Sequence, residues 1–265
     1  DVDIKQYPRY FNTPNQRGLC EKIAALEGAE SALIFGSGMA AISTALLSHL
    51  KTGDHVIFQD DIYGGTRNFI KTEFEKYGIQ YSFAKGLDAS DFEAEITPQT
   101  KGIYVETPSN PTLKIIDLKA ISELAKSSSL WTMIDNTFAS PVNQNPIAHG
   151  IDIVIHSATK YLGGHSDICA GVVVASEFII AQVFESAKNL GGSLSDYTVW
   201  LLERSIKTLY VRVQAQNENA HLLSNFLQDQ DWIEHVYYPG LENHVGHQIA
   251  KRQMHGFGGM LSFNL

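Results

Sequence analysis

Lys160 follows an apolar run with almost no interval. Ile151, Ile153 and Ile155 alternate with Asp152, Val154 and His156, and then come Ser157, Thr159, Lys160 and the pair Gly163–Gly164. A lysine at the mouth of a core strand is either a solvated end or a reactive amine. Protonated, it is a poor nucleophile. Desolvation or a nearby cation frees its lone pair for a Schiff base. Asp135 ends a second apolar run, Leu130–Asp135. A carboxylate there needs a cation or hydrogen-bond donors, and a turn or helix cap is the plainer alternative.

Two further features suit an anion and a ring. Gly36–Met39 precede a helical run, where free backbone amides and the positive helix end favour negative charge. Ser157 and Thr159 stand two apart, so on an extended backbone their hydroxyls share one face and Lys160 points the other way. Tyr63, beside Gly64–Gly65, is placed to cover an aromatic ring. An amine, a carboxylate for a ring nitrogen and an anion cradle are what pyridoxal phosphate (PLP) needs from a protein. Each feature alone reads equally as a turn, a cap or ordinary packing.

The elements that must position these residues alternate. Short β-rich runs are expected at 31–35 (a strand or a helix end), 55–58, 79–84, 102–106, 130–135, 151–156 and 170–175. Helical spacing is expected over 38–50, 63–77, 118–127 with Asp117 as N-cap, and 211–227. This order predicts an α/β fold with a mostly parallel sheet and helices on both faces. Ligands in such sheets lie beyond the carboxyl ends of the strands. There the sequence places Gly36–Met39, Tyr63–Thr66, Glu106–Asn110, Asp135–Thr137 and Ser157–Lys160. From about Ser205 helix-like segments take over, and the last residues alternate like a strand with no partner after it. The expectation is a second domain cut off partway.

Composition narrows the class. The 265 residues are 44% hydrophobic and 18% charged, with a formal net charge of −9. That is a globular chain with no basic footprint for nucleic acid. No apolar run is long enough to span a membrane. Cys20 and Cys169 form no C-x-x-C motif and read as reduced thiols of a cytoplasmic protein. His156, His165 and Asp167 fit no strong metal spacing, so no metal is expected and the histidines read as structural. A Rossmann-type nucleotide binder is disfavoured because GSGMAA lacks the third glycine of the fingerprint.

Read as motifs, the same residues resemble a known family. SATKYLGGHSD, DNTFASP at Asp135–Pro141, ETPSNP at Glu106–Pro111, DDIYGGT at Asp60–Thr66 and SGMAA at Ser37–Ala41 are similar to those of the Cys/Met-metabolism family of PLP-dependent enzymes. KNLGGSLS, IKTL, YYPGL and AKRQMHGFGGMLSF fit it too, so the likeness runs over nearly the whole chain. The family includes cystathionine γ-synthase, cystathionine β- and γ-lyases, methionine γ-lyase and O-acetylhomoserine sulfhydrylase.

The resemblance implies a fold-type I, aspartate-aminotransferase-like architecture and a homotetramer of tight dimers with shared active sites. It implies PLP held covalently on Lys160, which then moves protons, with Asp135 on the ring nitrogen and Tyr63 stacked on the ring. It implies that the Gly38 and Met39 amides, Ser157 and Thr159 hold the phosphate, and that Asn110 and Glu106 lie around cofactor and substrate. Tyr7 and Arg9 match an element that reaches the phosphate of the neighbouring subunit, and Tyr7 is a further candidate for proton transfer. Pro8 departs from the usual pattern and restricts that arm. Gly65 stands where methionine γ-lyases usually carry cysteine, which lowers that member. The arginine for the substrate carboxylate is expected beyond Leu265.

The expected organisation is therefore an N-terminal segment at 1–18, a PLP-binding domain at 19–205, and the start of a small domain at 206–265. The expected activity is carbon–sulfur cleavage of cystathionine or a related sulfur amino acid by γ- or β-elimination. γ-Replacement on an activated homoserine ester, by a γ-synthase or a sulfhydrylase, remains the alternative. A related protein that has lost catalysis is a further one, opposed by the intact Lys160–Asp135 pair.

Overall fold

Alternation along the strands decides the architecture. In the strand Thr100–Glu106, Ile103 and Val105 join one buried apolar cluster while Tyr104 joins another. In Gly171–Ala175, Val172 and Val174 face the first cluster and Val173 and Ala175 the second. A sheet buried on both faces must be covered by helices on both. The structure, a computed structural model, describes residues 6–265; residues 1–5 of the expected N-terminal segment lie outside the described residues.

The chain runs α1 (Pro14–Glu27), β1 (Ser31–Phe35), α2 (Gly38–His49), β2 (His55–Gln59), α3 (Gly64–Glu73), β3 (Gln80–Ala84) and α4 (Ala89–Glu93). It continues through β4 (Thr100–Glu106), α5 (Leu118–Ser127), β5 (Trp131–Asp135), α6 (Ser140–Asn143), β6 (Ile153–His156) and β7 (Gly171–Ala175). Then follow α7 (Glu177–Leu190), α8 (Asp196–Ile206), α9 (Leu209–Gln228), β8 (His235–Tyr237), α10 (His247–Gln253) and β9 (Ser262–Asn264). The large sheet has the order β1-β7-β6-β5-β4-β2-β3. Strands β3, β2, β4, β5 and β6 are parallel, and β7 alone runs against its neighbours, pairing Phe35 of β1 with Gly171.

One face carries α1, α5, α8 and the start of α9, through Leu19, Ile23, Ile121, Leu202 and Val213. The other carries α2, α3 and α7, through Ile42, Leu46, Ile70 and Val183. Each such buried aliphatic side chain contributes about 1.5–3 kcal/mol. A separate small core of Ala220, Leu227, Val236, Tyr238 and Leu241 gathers α9, β8 and the loop after it.

Most expected elements appear where the pattern put them, and α5 has the expected bounds, with the Asp117 side chain accepting from the Lys119 and Ala120 amides at 3.1 Å. Four differences have physical reasons. Residues 31–35 form a strand, because β7 offers both hydrogen bonds and an apolar face. The helix expected over 63–77 breaks into α3 and a 3-10 turn, Phe74–Tyr77, capped by Gly78 at φ +66°. The final strand does have a partner, but an earlier one, since β9 pairs antiparallel with β8. Helix α1 goes beyond the pattern reading, although Thr13, Pro14 and Gln16 spell its capping box.

Candidate active site

Five strand ends meet around a cavity of about 920 Å³. Its wall takes Gly38 and Met39 from the start of α2, Tyr63 from the start of α3, Glu106 and Asn110 after β4, Asp135 from β5, and Ser157, Thr159 and Lys160 after β6. These are nine of the expected site residues. Tyr7 and Arg9 are elsewhere. Arg9 Nη1 donates to the Lys188 carbonyl at 2.7 Å, its guanidinium lies 4.5 Å from the Tyr10 ring centre, and Tyr7 is 43% exposed.

The segment 157–160 is not extended. The Lys160 amide donates to the Ser157 carbonyl at 3.0 Å, so β6 ends in a turn and the alternation argument for these side chains is overturned. They reach the cavity because the turn folds over it. The Ser157 amide donates to Thr137 Oγ1 at 2.8 Å, tying the end of β6 to the end of β5. Past Lys160, the Gly164 amide returns to the Lys160 carbonyl at 2.7 Å. Gly164 has φ +74°, and a Cβ there would lie 1.9 Å from Arg212 Nη1, so only glycine allows both the turn and the approach of α9. Arg212 Nη1 also holds the Tyr161 carbonyl, at 2.9 Å.

The anion cradle is similarly built. Ser37 Oγ caps α2 by accepting the Ala40 amide at 3.0 Å. The first-turn amides of Gly38 and Met39 have no acceptor within the helix. A Cβ on Gly38 would lie 2.9 Å from the Ser157 Cβ, so a side chain there would crowd the hydroxyl.

Two carboxyls face the same space. Glu106 Oε2 accepts the Tyr63 amide at 2.7 Å and Oε1 the Asn110 amide at 3.1 Å. Burial first, and then the nearby Asp135, push its pKa up to about 8. Asp135 Oδ1 accepts the Thr137 amide at 3.0 Å, and burial raises its pKa as well. A carboxyl held this way is short of positive charge, which a protonated ring nitrogen supplies. Thr137, placed at a strand end by the sequence but given no role there, also lines the wall, as do Tyr161, Gln216, Gly259 and Met260. Thr137 had a usable signal, a hydroxyl two residues past the strand-end acid. Gln216 comes from α9 and had none, whereas Gly259 and Met260 lie in the family-like run AKRQMHGFGGMLSF.

Comparison with known proteins decides what this geometry belongs to. Residues 3–265 match the family model described as Cys/Met metabolism PLP-dependent enzyme. This chain belongs to that family. It is therefore a PLP-dependent enzyme of the Cys/Met-metabolism family, with the aminotransferase-like α/β fold. It is 46% identical over 261 residues to the cystathionine beta-lyase of Lactococcus lactis subsp. cremoris (strain MG1363), covering 98% of this chain and 68% of that one. It is 43% identical over 261 residues to the cystathionine gamma-synthase of Mycobacterium bovis, covering 98% of this chain and 67% of that one. Among solved structures it is similar to cystathionine gamma-lyase from Lactobacillus plantarum complexed with L-serine, with TM-score 0.95, 40% identity, and coverage of 100% of this chain and 70% of that one.

The family's cofactor fits the residues present. The cavity offers a lysine amine, a buried acid wanting a cation, and the Gly38 cradle beside the Ser157 hydroxyl, with Thr159 on the same wall, its Oγ1 donating to the Ala170 carbonyl at 3.2 Å. Among the described residues no helix is long and apolar enough to cross a membrane.

Proposed function

We propose that this family member is a carbon–sulfur lyase that cleaves cystathionine or a related sulfur amino acid by γ- or β-elimination. The observation carrying the reading is the convergence of Lys160 and Asp135, from neighbouring strand ends, on one cavity with the Gly38 cradle. When bound, PLP withdraws electrons from the Cα of the amino acid attached to it. Lys160 Nζ holds the cofactor and, once displaced, takes the Cα proton. Asp135 keeps the ring nitrogen protonated. The Gly38 and Met39 amides with the Ser157 and Thr159 hydroxyls hold the phosphate. Tyr63 covers the ring, and the Glu106 carboxyl fixes both Tyr63 and Asn110 from behind.

Tyr7 and Arg9, which lie away from their own cavity, are assigned to the site of a neighbouring subunit. That reading makes the dimer the smallest complete unit, within a homotetramer. Exposed Tyr197, Trp200 and Tyr210 on α8 and α9 support such an assembly. The domain division is read as a cofactor domain at 19–205 and the start of a second at 206–265, with the small core around Tyr238 in support. The net charge of −9 and the absence of any disulfide among the described residues accord with a cytoplasmic enzyme of methionine and cysteine biosynthesis.

A second reading, γ-replacement on an activated homoserine ester, is supported by the similarity to the gamma-synthase. Incubating PLP-saturated enzyme with cystathionine and identifying products by mass spectrometry separates them. Cysteine with 2-oxobutanoate means γ-elimination, and homocysteine with pyruvate means β-elimination. No cleavage by enzyme with bound cofactor sinks the lyase reading and leaves γ-replacement.

A further inference from the structure

Tyr161, the residue after Lys160, is gripped from two directions by parts of the chain that follow the large sheet. The Tyr161 carbonyl accepts Arg212 Nη1 of α9 at 2.9 Å. Arg212 is fixed in turn, with Nε donating to Thr208 Oγ1 and Nη2 to the Ser205 carbonyl, each at 3.0 Å. The Tyr161 hydroxyl accepts the Gly259 amide at 3.2 Å.

The Gly259 segment is itself anchored. The Gly258 carbonyl accepts the Tyr238 hydroxyl at 3.1 Å, and Tyr238 is buried in the small core around α9 and β8. At Gly259 a Cβ would lie 2.8 Å from Gln216 Cβ and 3.1 Å from the Tyr161 hydroxyl oxygen, so the backbone comes this close because no side chain intervenes. Gln216 stands one turn beyond Arg212 on α9. Gly259 and Gln216 line the cavity together with Tyr161 and Lys160. One line of contacts therefore joins the small core to the lysine: Tyr238, Gly258–Gly259, Tyr161, Lys160. Packing explains the ring of Tyr161, which lies against the larger apolar cluster. It does not explain the hydroxyl. A phenylalanine would bury the same ring and leave the Gly259 amide without this acceptor.

We propose that Tyr161 is a positioning residue that, through its hydrogen bond to Gly259, holds Lys160 where its amine can take the proton from the Cα of a bound amino acid. This rests on the reading of Lys160 as the group that moves that proton. The bond fixes the residue next to Lys160 in the chain, and small misplacements of a reacting group slow a reaction steeply. A shift of Gly259 and Met260 is carried to Lys160 by the same route.

The test uses Tyr161→Phe, which keeps the ring, and Gly259→Ala, which strikes the same bond from the other side. In cofactor-free protein, hydrogen–deuterium exchange at the Gly259 amide should be roughly 3–10-fold faster in Tyr161→Phe. In holoenzyme, the Cα hydrogen of L-alanine is followed by NMR as it exchanges with heavy water, a reaction that needs no leaving group. Lys160→Ala comes first. Exchange at the parent rate in that variant would remove Lys160 from the step, and the proposal with it. Where Lys160→Ala abolishes exchange, the saturating rate should fall by about tenfold in Tyr161→Phe, with half-saturation moving by less than about twofold. Gly259→Ala should do the same, and the double variant should be no slower than either single one, because both remove one bond. A merely structural Tyr161 would lower the melting temperature and leave the saturating rate where it was. That result in folded Tyr161→Phe, an unchanged Gly259 amide, or fully multiplicative losses in the double variant would each overturn the proposal.

Discussion

The carboxylate of Glu106 accepts the backbone amide of Tyr63 at 2.7 Å, joining the end of β4 to the start of α3. Its pKa is pushed up to about 8 from an ordinary 4.5. In that interval the folded chain retains a proton that the unfolded chain has lost. Stability of the cofactor-free protein should therefore fall as pH rises from 4.5 to about 8 and level off above. The slope from this one site is at most about 1.4 kcal/mol per pH unit. Glu106→Gln should flatten the curve. Urea unfolding across that range checks it, and a parallel decline in both proteins would refute the assignment.

Lys160→Ala should abolish covalent retention of PLP. Borohydride treatment followed by peptide mapping should label Lys160 in the parent and nothing in the variant. Turnover should drop by about 10²–10⁴-fold, the usual range for a lost acid–base group. Near-normal turnover would end the case for Lys160.

Gly38→Val tests the cradle. The new Cβ would lie 2.9 Å from Ser157 Cβ, and overpacking of this kind costs about 1–3 kcal/mol. PLP affinity should fall by about tenfold or more, while far-ultraviolet circular dichroism stays unchanged. Unaltered affinity would place the phosphate elsewhere.

Arg9→Ala should weaken PLP binding by about 10–100-fold, since a hydrogen bond to a charged group is worth about 1.5–3 kcal/mol. Mixing it with Lys160→Ala is more telling. In a hybrid dimer one site keeps both natural residues if Arg9 serves its neighbour. Activity should then reappear on subunit exchange. If the mixture stays as inactive as its parts, Arg9 acts elsewhere.

The parts of this fold legible in the sequence are those with local causes. Asp117 caps α5 because its side chain reaches amides two and three residues on, and that pattern is readable without tertiary context. The strand ends also declared themselves, since glycine and polar groups interrupt apolar runs there. The course of Ser157–Lys160 did not. Its turn depends on Thr137 Oγ1 and on Arg212 closing over Gly164, contacts with no sequence spacing of their own. Glu27 was equally silent, because a charged residue at a helix end reads as solvated until another element buries it.

The antiparallel insertion of β7 has a consequence for synthesis. Among the described residues the only strand that pairs with β1 is β7, so Phe35 leaves the ribosome long before Gly171, its partner, exists. Until then β1 is an apolar strand with an open edge, and the loop that begins α2 has nothing to fix it. The start of α2, with its Gly38 cradle, packs against Gly171 and so has its finished support only once β7 has been made.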